Sequence, residues 1–487
     1  MTAWNMLKWI APACIGLALS AAAQTPTPAP ETKPAQAQPT LPSAADRAAI
    51  LEASRGERDR ELKLLGITEM QPPATAYDIG KPGNANYDES KANPYPKLPD
   101  VLTMNDGTKV KTAAQWPKRR AEIQAMFDED VYGKYPAHIP AVKWKVDSVE
   151  NMTVQGIPAI VKHLTGTVDN SAYPAITVEI HADLVTPANT KGKKVPVIIG
   201  GGSIRPRPIF PRAPGQAVHM LKSPPDAPDS AKLLLEHGWG FVGRNSNDVQ
   251  ADNGAGLDKG IIGLVNKGEP RALDDWGVLR AWAWGDSRLL DYLETDPDVD
   301  ANKVGVMGHS RGGKAALVAM ADDPRFAIGY ISSSGAGGAD LYRRNYGETM
   351  GNLAGVSEFH WFAGNFLKYA AAGHTANEMP VDSHEFIALV APRPVFVGGG
   401  ALLTDPVYAP GDAWQDAQGM FMAAAAASPV WDLLGAKGLG TTTFPPMNTL
   451  IDTGDVAFRQ HAYGHTPAPN WPYFIEFAEK EFSKPRR

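Results

Sequence analysis

Residues 304–320, VGVMGHSRGGKAALVAM, set a polar, glycine-rich joint between two apolar runs. The Val- and Met-rich run before it has the character of a buried strand, and the Ala-rich run after it that of a buried helix. Gly308, His309, Ser310, Arg311 and Gly312 fit G-x-S-x-G, the turn that lifts a serine hydroxyl above the sheet of an α/β-hydrolase. So sharp a turn requires glycine at its flanks. The plainer alternative is an ordinary strand-to-helix turn with Ser310 as helix N-cap. A strand on one side and a helix on the other favour the nucleophile elbow.

The sequence around this joint alternates in the same way. KVPVIIGGGSI (194–204), WGFVGRN (239–245), FAIGYISSSGAGG (326–338), RPVFVGGG (393–400) and VAFRQHAYGH (456–465) begin as apolar strands. Helical patterns occupy DDWGVLRAWAWGDSRLLDYL (274–293), EFIALVAP (385–392) and WPYFIEFAEKEF (471–482). Strands alternating with helices predict a mostly parallel sheet covered on both faces. Three alternating runs between residues 142 and 187 predict an antiparallel edge at its N-terminal side. The expected fold is therefore an α/β-hydrolase three-layer sandwich, and no internal repeat is evident.

The chain opens on an apolar stretch after Lys8, WIAPACIGLALSAAAQ, which predicts a secretory signal peptide over residues 1–23, too short for a membrane span. Residues 24–43 are Pro-rich and polar, an extended linker, and the catalytic domain is expected over residues 44–487. It opens with an amphipathic helix, residues 44–67, followed by Pro-, Asn- and Gly-rich loops over 70–100. The single cysteine, Cys14, lies inside the leader, where a lipid anchor would need it at a later cleavage box. The mature chain then has no thiol, so disulfides, a cysteine nucleophile and Cys-ligated metals are excluded. The formal net charge of −6 is spread without a basic patch, which argues against nucleic acid and against a membrane partner after leader cleavage.

A serine hydroxyl attacks only when a base takes its proton, and in this fold the order is Ser, acid, His. His461 falls within the last strand pattern, AFRQHAY, and His465 lies in the loop leading to the final helix. His465, after Gly464 in a loop, is placed to reach the elbow, whereas His461 reads as a packed or hydrogen-bonded histidine. The acid belongs after RPVFVGGG, where Asp405, Asp412 and Asp416 all qualify. Arg311 and Lys314 occupy a helix first turn, where the macrodipole disfavours cations by about 0.3–1 kcal/mol. Such placement points to another purpose. Lys314, one turn after Ser310, projects from the same side; its alternative is a lysine reaching for solvent.

GHSRGGKAAL (308–317), SSGAGGADLYRR (333–344), PVDSHEFIALVAPRPVFV (380–397), DAWQDAQGMF (412–421), AYGHTPAPNWPYFIEF (462–477) and residues 260–295 together resemble the glucuronoyl esterases, carbohydrate esterase family 15, of bacterial type. The likeness runs from Val195 to Phe482. It implies a hydrolase of esters joining (4-O-methyl)glucuronic acid on glucuronoxylan to lignin alcohols, secreted, monomeric, and without metal or organic cofactor. Carried over, Ser310 is the nucleophile, His465 the base, and Arg311 the oxyanion stabiliser through amide and guanidinium. Residues 200–203, GGGS, are a further contributor. Many members carry a Glu where this chain has Ser333, so the acid duty falls on Asp412, with Asp405 the second choice. Lys314, Glu348 and Trp414 are the implied substrate contacts. Trp414 has core packing as its alternative, and Glu348 a pairing with Arg343 or Arg344. An acetyl-xylan esterase and a non-catalytic glycan-binding homologue are the competing functions.

Overall fold

The computed structural model describes residues 42–76, 80–204, 227–402 and 411–484. The expected leader and almost all of the linker lie outside these residues. Among the described residues ten strands form one sheet, β1 (Val142–Val154), β2 (Ile157–Val168), β3 (Glu179–Pro187), β4 (Val195–Ile199), β5 (Gly240–Arg244), β6 (Val299–His309), β7 (Ile328–Ser332), β8 (Val395–Gly399), β9 (Leu450–Ile451) and β10 (Val456–Gln460). Their spatial order is β1-β2-β3-β5-β4-β6-β7-β8-β10-β9. From β5 to β10 the neighbours are parallel. The β1–β2–β3–β5 side is antiparallel, as its alternating sequence predicts, and the two-residue β9 adds a short antiparallel edge at the other end. After β4 the chain crosses to β5 on one side, and after β6 to β7 on the other. A crevice therefore opens at the carboxyl ends of β4 and β6, the place where open α/β sheets hold ligands.

The helices are α1 (Ala44–Leu65), α2 (Trp116–Asp130), α3 (Ser230–Glu236), α4 (Gly260–Val265), α5 (Val278–Thr295), α6 (Arg311–Asp322), α7 (Met350–Leu353), α8 (Ser383–Ala388), α9 (Ala417–Ala427), α10 (Pro429–Leu433) and α11 (Trp471–Ser483). Successive side chains of a strand point to opposite faces, and the two apolar clusters divide accordingly. Val197, Ile199, Val304, Val306, Val395 and Val397 join α2, α5, α6, α8 and α9 on one face. Ile198, Met307, Phe396 and Ala457 join α3 and α11 on the other. This is the three-layer sandwich the sequence implied.

Helices α1 and α2 show how helices depart from expectation, and the shorter α3, α4, α7, α9 and α10 also form outside the expected runs. Helix α1 forms where predicted, capped by Ser43 and Asp46, but its only fully buried side chains are Ser54 and Glu61. Glu61 takes a bidentate pair from the buried Arg271, while Ile50, Leu51 and Leu64 face outward. Apolar contact is confined to Leu62 and Leu65 at its end. The helix is held by polar anchors instead of an apolar stripe. Helix α2 was not anticipated, although Pro117 in its first turn and the spacing of Ile123 and Phe127, both wholly buried, carry its signal.

Candidate active site

Strand β6 ends at His309 and α6 begins at Arg311, so Ser310 alone makes the turn. Its backbone stands at φ 59°, ψ −131°, a left-handed conformation that costs a non-glycine residue about 1–3 kcal/mol. The surroundings hold it there: the Ser310 amide donates to the Ser332 carbonyl at 2.9 Å, and the Ser310 carbonyl accepts from Gly313 and Lys314. A Cβ at Gly308 would collide with the Gly312 carbonyl, so that flank must be glycine. Gly312 is different, with nothing near its missing Cβ. The second sterically required glycine is Gly313, whose Cβ would lie 2.7 Å from the Ser332 carbonyl. Half-buried Ser310 thus sits at the carboxyl edge of the sheet, beside the Arg311 and Gly312 amides that begin α6 and have no intrahelical acceptor.

His465 comes to this turn from the loop before α11. Its ring packs against the ring of His309, centroids 4.2 Å apart, and its Nδ1 lies 2.7 Å from Oδ1 of Asp412. Asp412 is completely buried at the start of the segment that resumes after β8. Its other oxygen accepts from the Ser333 hydroxyl at 2.6 Å and from the Gly400 amide. Both are neutral donors, so among the described residues the charge-compensating partner in contact with this carboxylate is the imidazole. Ser333, where the family resemblance leads one to look for an acid, instead donates to one. Both ring nitrogens of His461 are engaged outside this arrangement. This histidine is buried, with Nε2 on the Thr466 carbonyl at 2.8 Å and Nδ1 accepting from the Tyr463 amide, and burial lowers its pKa.

The remaining candidates separate clearly. Asp416 caps α9 and pairs with Arg344 at 2.5 Å. Asp405 falls outside the described residues. Lys314 is buried beneath the elbow, where its ammonium donates to the carbonyls of Ser334 and Ala336 and, at 2.8 Å, to Glu348. An ammonium has three protons, and all three are matched. Lysine in solvent, the plainer expectation, is not what is found. Glu348 pairs with Lys314 and with neither arginine: Arg343 goes to Asp382, and Arg344 to Asp416 and Glu89. The Glu348 amide donates to the carbonyl of half-buried Trp414 at 3.0 Å, so Lys314, Glu348 and Trp414 form one wall. In the GGGS stretch, the amides of Gly200 and Gly201 are already donated to Val242 and Ile198, which leaves neither for an oxyanion.

Four side chains at the elbow, Asp252, Glu358, His360 and Trp361, escaped the sequence reading. The Arg311 guanidinium is 54% exposed and donates to Asp252 at 2.5 Å. Asp252 also accepts from His360 at 3.0 Å and from the Trp361 indole N–H at 2.7 Å. Burial pushes its pKa up, but these donors and the Arg311 charge outweigh it and hold the carboxyl well below its usual range. Arg311 and Lys314 both lie over the Trp361 ring, at 5.5 and 5.7 Å from its centre. Glu358 stands among the same cations, with Oε2 buried and without a hydrogen-bond partner among the described residues. Its burial and the Glu348 charge push its pKa up to about 8. A loop acid next to F-H-W-F was the available signal, but nothing in the spacing ties residue 358 to residue 310.

Among the described residues, no group of three or more His, Cys, Asp or Glu side chains is placed to hold a metal. A hydroxyl on a strained turn, an imidazole oriented by a buried carboxylate and cations beside the helix N-terminus together suit acyl transfer through a serine.

Comparison with known proteins follows the same line. A family model described as glucuronyl esterase of fungi matches residues 271–435. A carbohydrate esterase, MZ0003, from an unknown prokaryotic organism is 32% identical over 422 residues, 82% of this chain and 92% of that protein. The 4-O-methyl-glucuronoyl methylesterase 1 of Wolfiporia cocos (strain MD-104) is 29% identical over 312 residues, 61% of this chain and 65% of the relative. Among solved structures, a CE15 glucuronoyl esterase from Teredinibacter turnerae T7901 is 39% identical with a TM-score of 0.77, covering 88% of this chain and 100% of that one.

Proposed function

The chain belongs to carbohydrate esterase family 15, the glucuronoyl esterases, and on that premise we propose that it hydrolyses (4-O-methyl)glucuronoyl esters, those linking glucuronoxylan to lignin alcohols. The observation that carries this reading is the His465–Asp412 contact of 2.7 Å, with the imidazole packed on the residue that precedes Ser310. His465 takes the Ser310 proton as the oxygen attacks the ester carbonyl, then gives that proton to the departing alcohol. Water repeats the two steps on the acyl-enzyme. Asp412 orients the ring and stabilises its cationic form. Arg311, through its amide and guanidinium, balances the oxyanion, and a full charge there contributes more than a neutral amide alone. Glu348 and Trp414 face the sugar, with Lys314 fixing Glu348 from behind.

The apolar leader and Pro-rich linker fit a secreted enzyme that works as a monomer at the cell exterior or in the periplasm. Benzyl glucuronate and acetylated xylan, assayed side by side, test the substrate class. Turnover of the uronate ester that vanishes in Ser310→Ala, with the fold intact by circular dichroism, is the expected result. Preference for acetylated xylan would make it an acetyl-xylan esterase, and binding without turnover a glycan-binding homologue; either outcome overturns the reading.

A further inference from the structure

Resting on that reading of Ser310 and Arg311, we propose that Asp252 is a positioning residue for the reaction: with His360 and Trp361 it forms a fixed clamp that sets the Arg311 guanidinium beside the elbow. The problem it solves is a physical one. An arginine side chain carries about 2 kcal/mol of rotamer entropy, and one that is half in solvent spends little time in a single geometry. Electrostatic stabilisation of a transition state works only when the charge is already in place before reaction. A mobile cation next to Ser310 would supply charge without orientation.

The clamp is built in two stages. Asp252 lies in the loop that follows β5, at the carboxyl end of the sheet, and its Oδ1 is fixed by two donors from one short turn, His360 Nε2 at 3.0 Å and Trp361 Nε1 at 2.7 Å. Both donors are buried. The carboxylate can then rotate very little, and its free oxygen, Oδ2, meets Arg311 at 2.5 Å. Trp361 acts twice, as donor to Asp252 and as the aromatic face beneath Arg311, which locates the guanidinium from below while the carboxylate locates it from the side. One nitrogen of the fork is taken, and a guanidinium has five N–H donors in fixed directions. The others remain for an oxyanion at the elbow.

The opposite possibility is that the Asp252 charge merely screens Arg311, in which case removing it would speed the reaction. An exposed ion pair contributes little to stability, so a purely structural role predicts little change of any kind. The decisive variant is Asp252→Asn, which preserves size and an acceptor oxygen for His360 and Trp361. We expect kcat on benzyl glucuronate to fall by about 10- to 100-fold, the range for misplacing a catalytic group by about an ångström, with KM within about twofold and the melting midpoint little changed. In an Arg311→Ala background the same substitution should change kcat by less than about twofold, because residues acting as a unit are not additive.

An Asp252→Asn kcat equal to or above that of the native chain, or an undiminished loss in the Arg311→Ala background, overturns the clamp while leaving the esterase reading intact. If Asp252→Asn does not fold, Trp361→Phe in both backgrounds decides in its place, with a smaller loss that must again disappear without Arg311. Should the native chain ignore uronate esters, the substrate reading fails on its own, and the clamp is judged by the same ratios on p-nitrophenyl acetate. Absence of turnover on both esters overturns both proposals.

Discussion

Asp412 and Asp416 are four residues apart, both fully buried, and held in opposite ways. Asp416 faces the Arg344 guanidinium, which is shared with Glu89, and its remaining capacity is used by the amide of Gly419. Neighbouring Asp340 is pushed well above the ordinary carboxylate range by burial and by the Asp416 charge. Among the described residues, no arginine meets Asp412. Its donors are a hydroxyl, an amide and the ring of His465. A carboxylate already neutralised by arginine has no charge left to lend to an imidazolium, whereas one supported only by neutral donors does. The difference between a structural and a functional aspartate here lies in the partner, not in burial.

The strongest way to break this contrast is Asp412→Asn. If the charge is what matters, kcat should drop by about 10³–10⁴-fold, the scale seen when the acid of a serine triad becomes an amide, with the melting midpoint largely kept. Asp416→Asn should do the reverse. Removing one of its two carboxylate partners leaves Arg344 with Glu89 alone and destabilises by about 1.5–3 kcal/mol, the size of a hydrogen bond to a charged group, read as a loss in denaturant unfolding, while the folded fraction retains kcat within severalfold. A finer probe is Ser333→Ala, which strips one neutral donor from Asp412. Loss of that hydrogen bond should lower kcat by about five- to tenfold, corresponding to roughly 1–1.5 kcal/mol, without changing KM. If Ser333→Ala were silent, the Gly400 amide alone would be holding the acid.

Much of this was legible before any coordinates. The elbow follows from a local pattern, because a five-residue turn between two apolar runs is specified by its own glycines. His465 is separable from His461 in the sequence, since one lies in a loop and the other falls within the last strand pattern, although the strand itself ends at Gln460. Asp412 is not separable from Asp405 and Asp416 by the residues alone; the family resemblance nominates it, and its proposed role rests on the 2.7 Å contact of its Oδ1 with His465 Nδ1. What remained hidden arises from three-dimensional convergence. Asp252, Arg311 and Trp361 come from three well-separated segments of the chain, and no periodicity encodes their meeting. Lys314 was read as lining the pocket because helical spacing gives direction but not depth. Its burial depends on the carbonyls of Ser334 and Ala336, supplied by the loop after β7.

Glu358 carries the contrast to its limit. Asp416 has a charged partner and Asp412 has neutral ones, but the buried Oε2 of Glu358 has none among the described residues. Burial and the nearby Glu348 therefore prevail over Lys314 and Arg311, and its pKa rises to about 8. The direction of the effect on the reaction comes from the charge it gains. Below about pH 8 Glu358 is neutral and the Arg311 charge is available to a developing oxyanion; above it a second carboxylate stands beside Glu348 and competes for that cation. Activity on benzyl glucuronate should accordingly fall by about three- to tenfold through an alkaline limb centred near pH 8, the size of one ordinary hydrogen bond. Glu358→Gln fixes the neutral state, so its pH profile should lose that limb while retaining the native rate at about pH 7. A profile in which the Glu358→Gln variant keeps the limb would assign it to another group and show that unpartnered burial at this position does not reach the reaction.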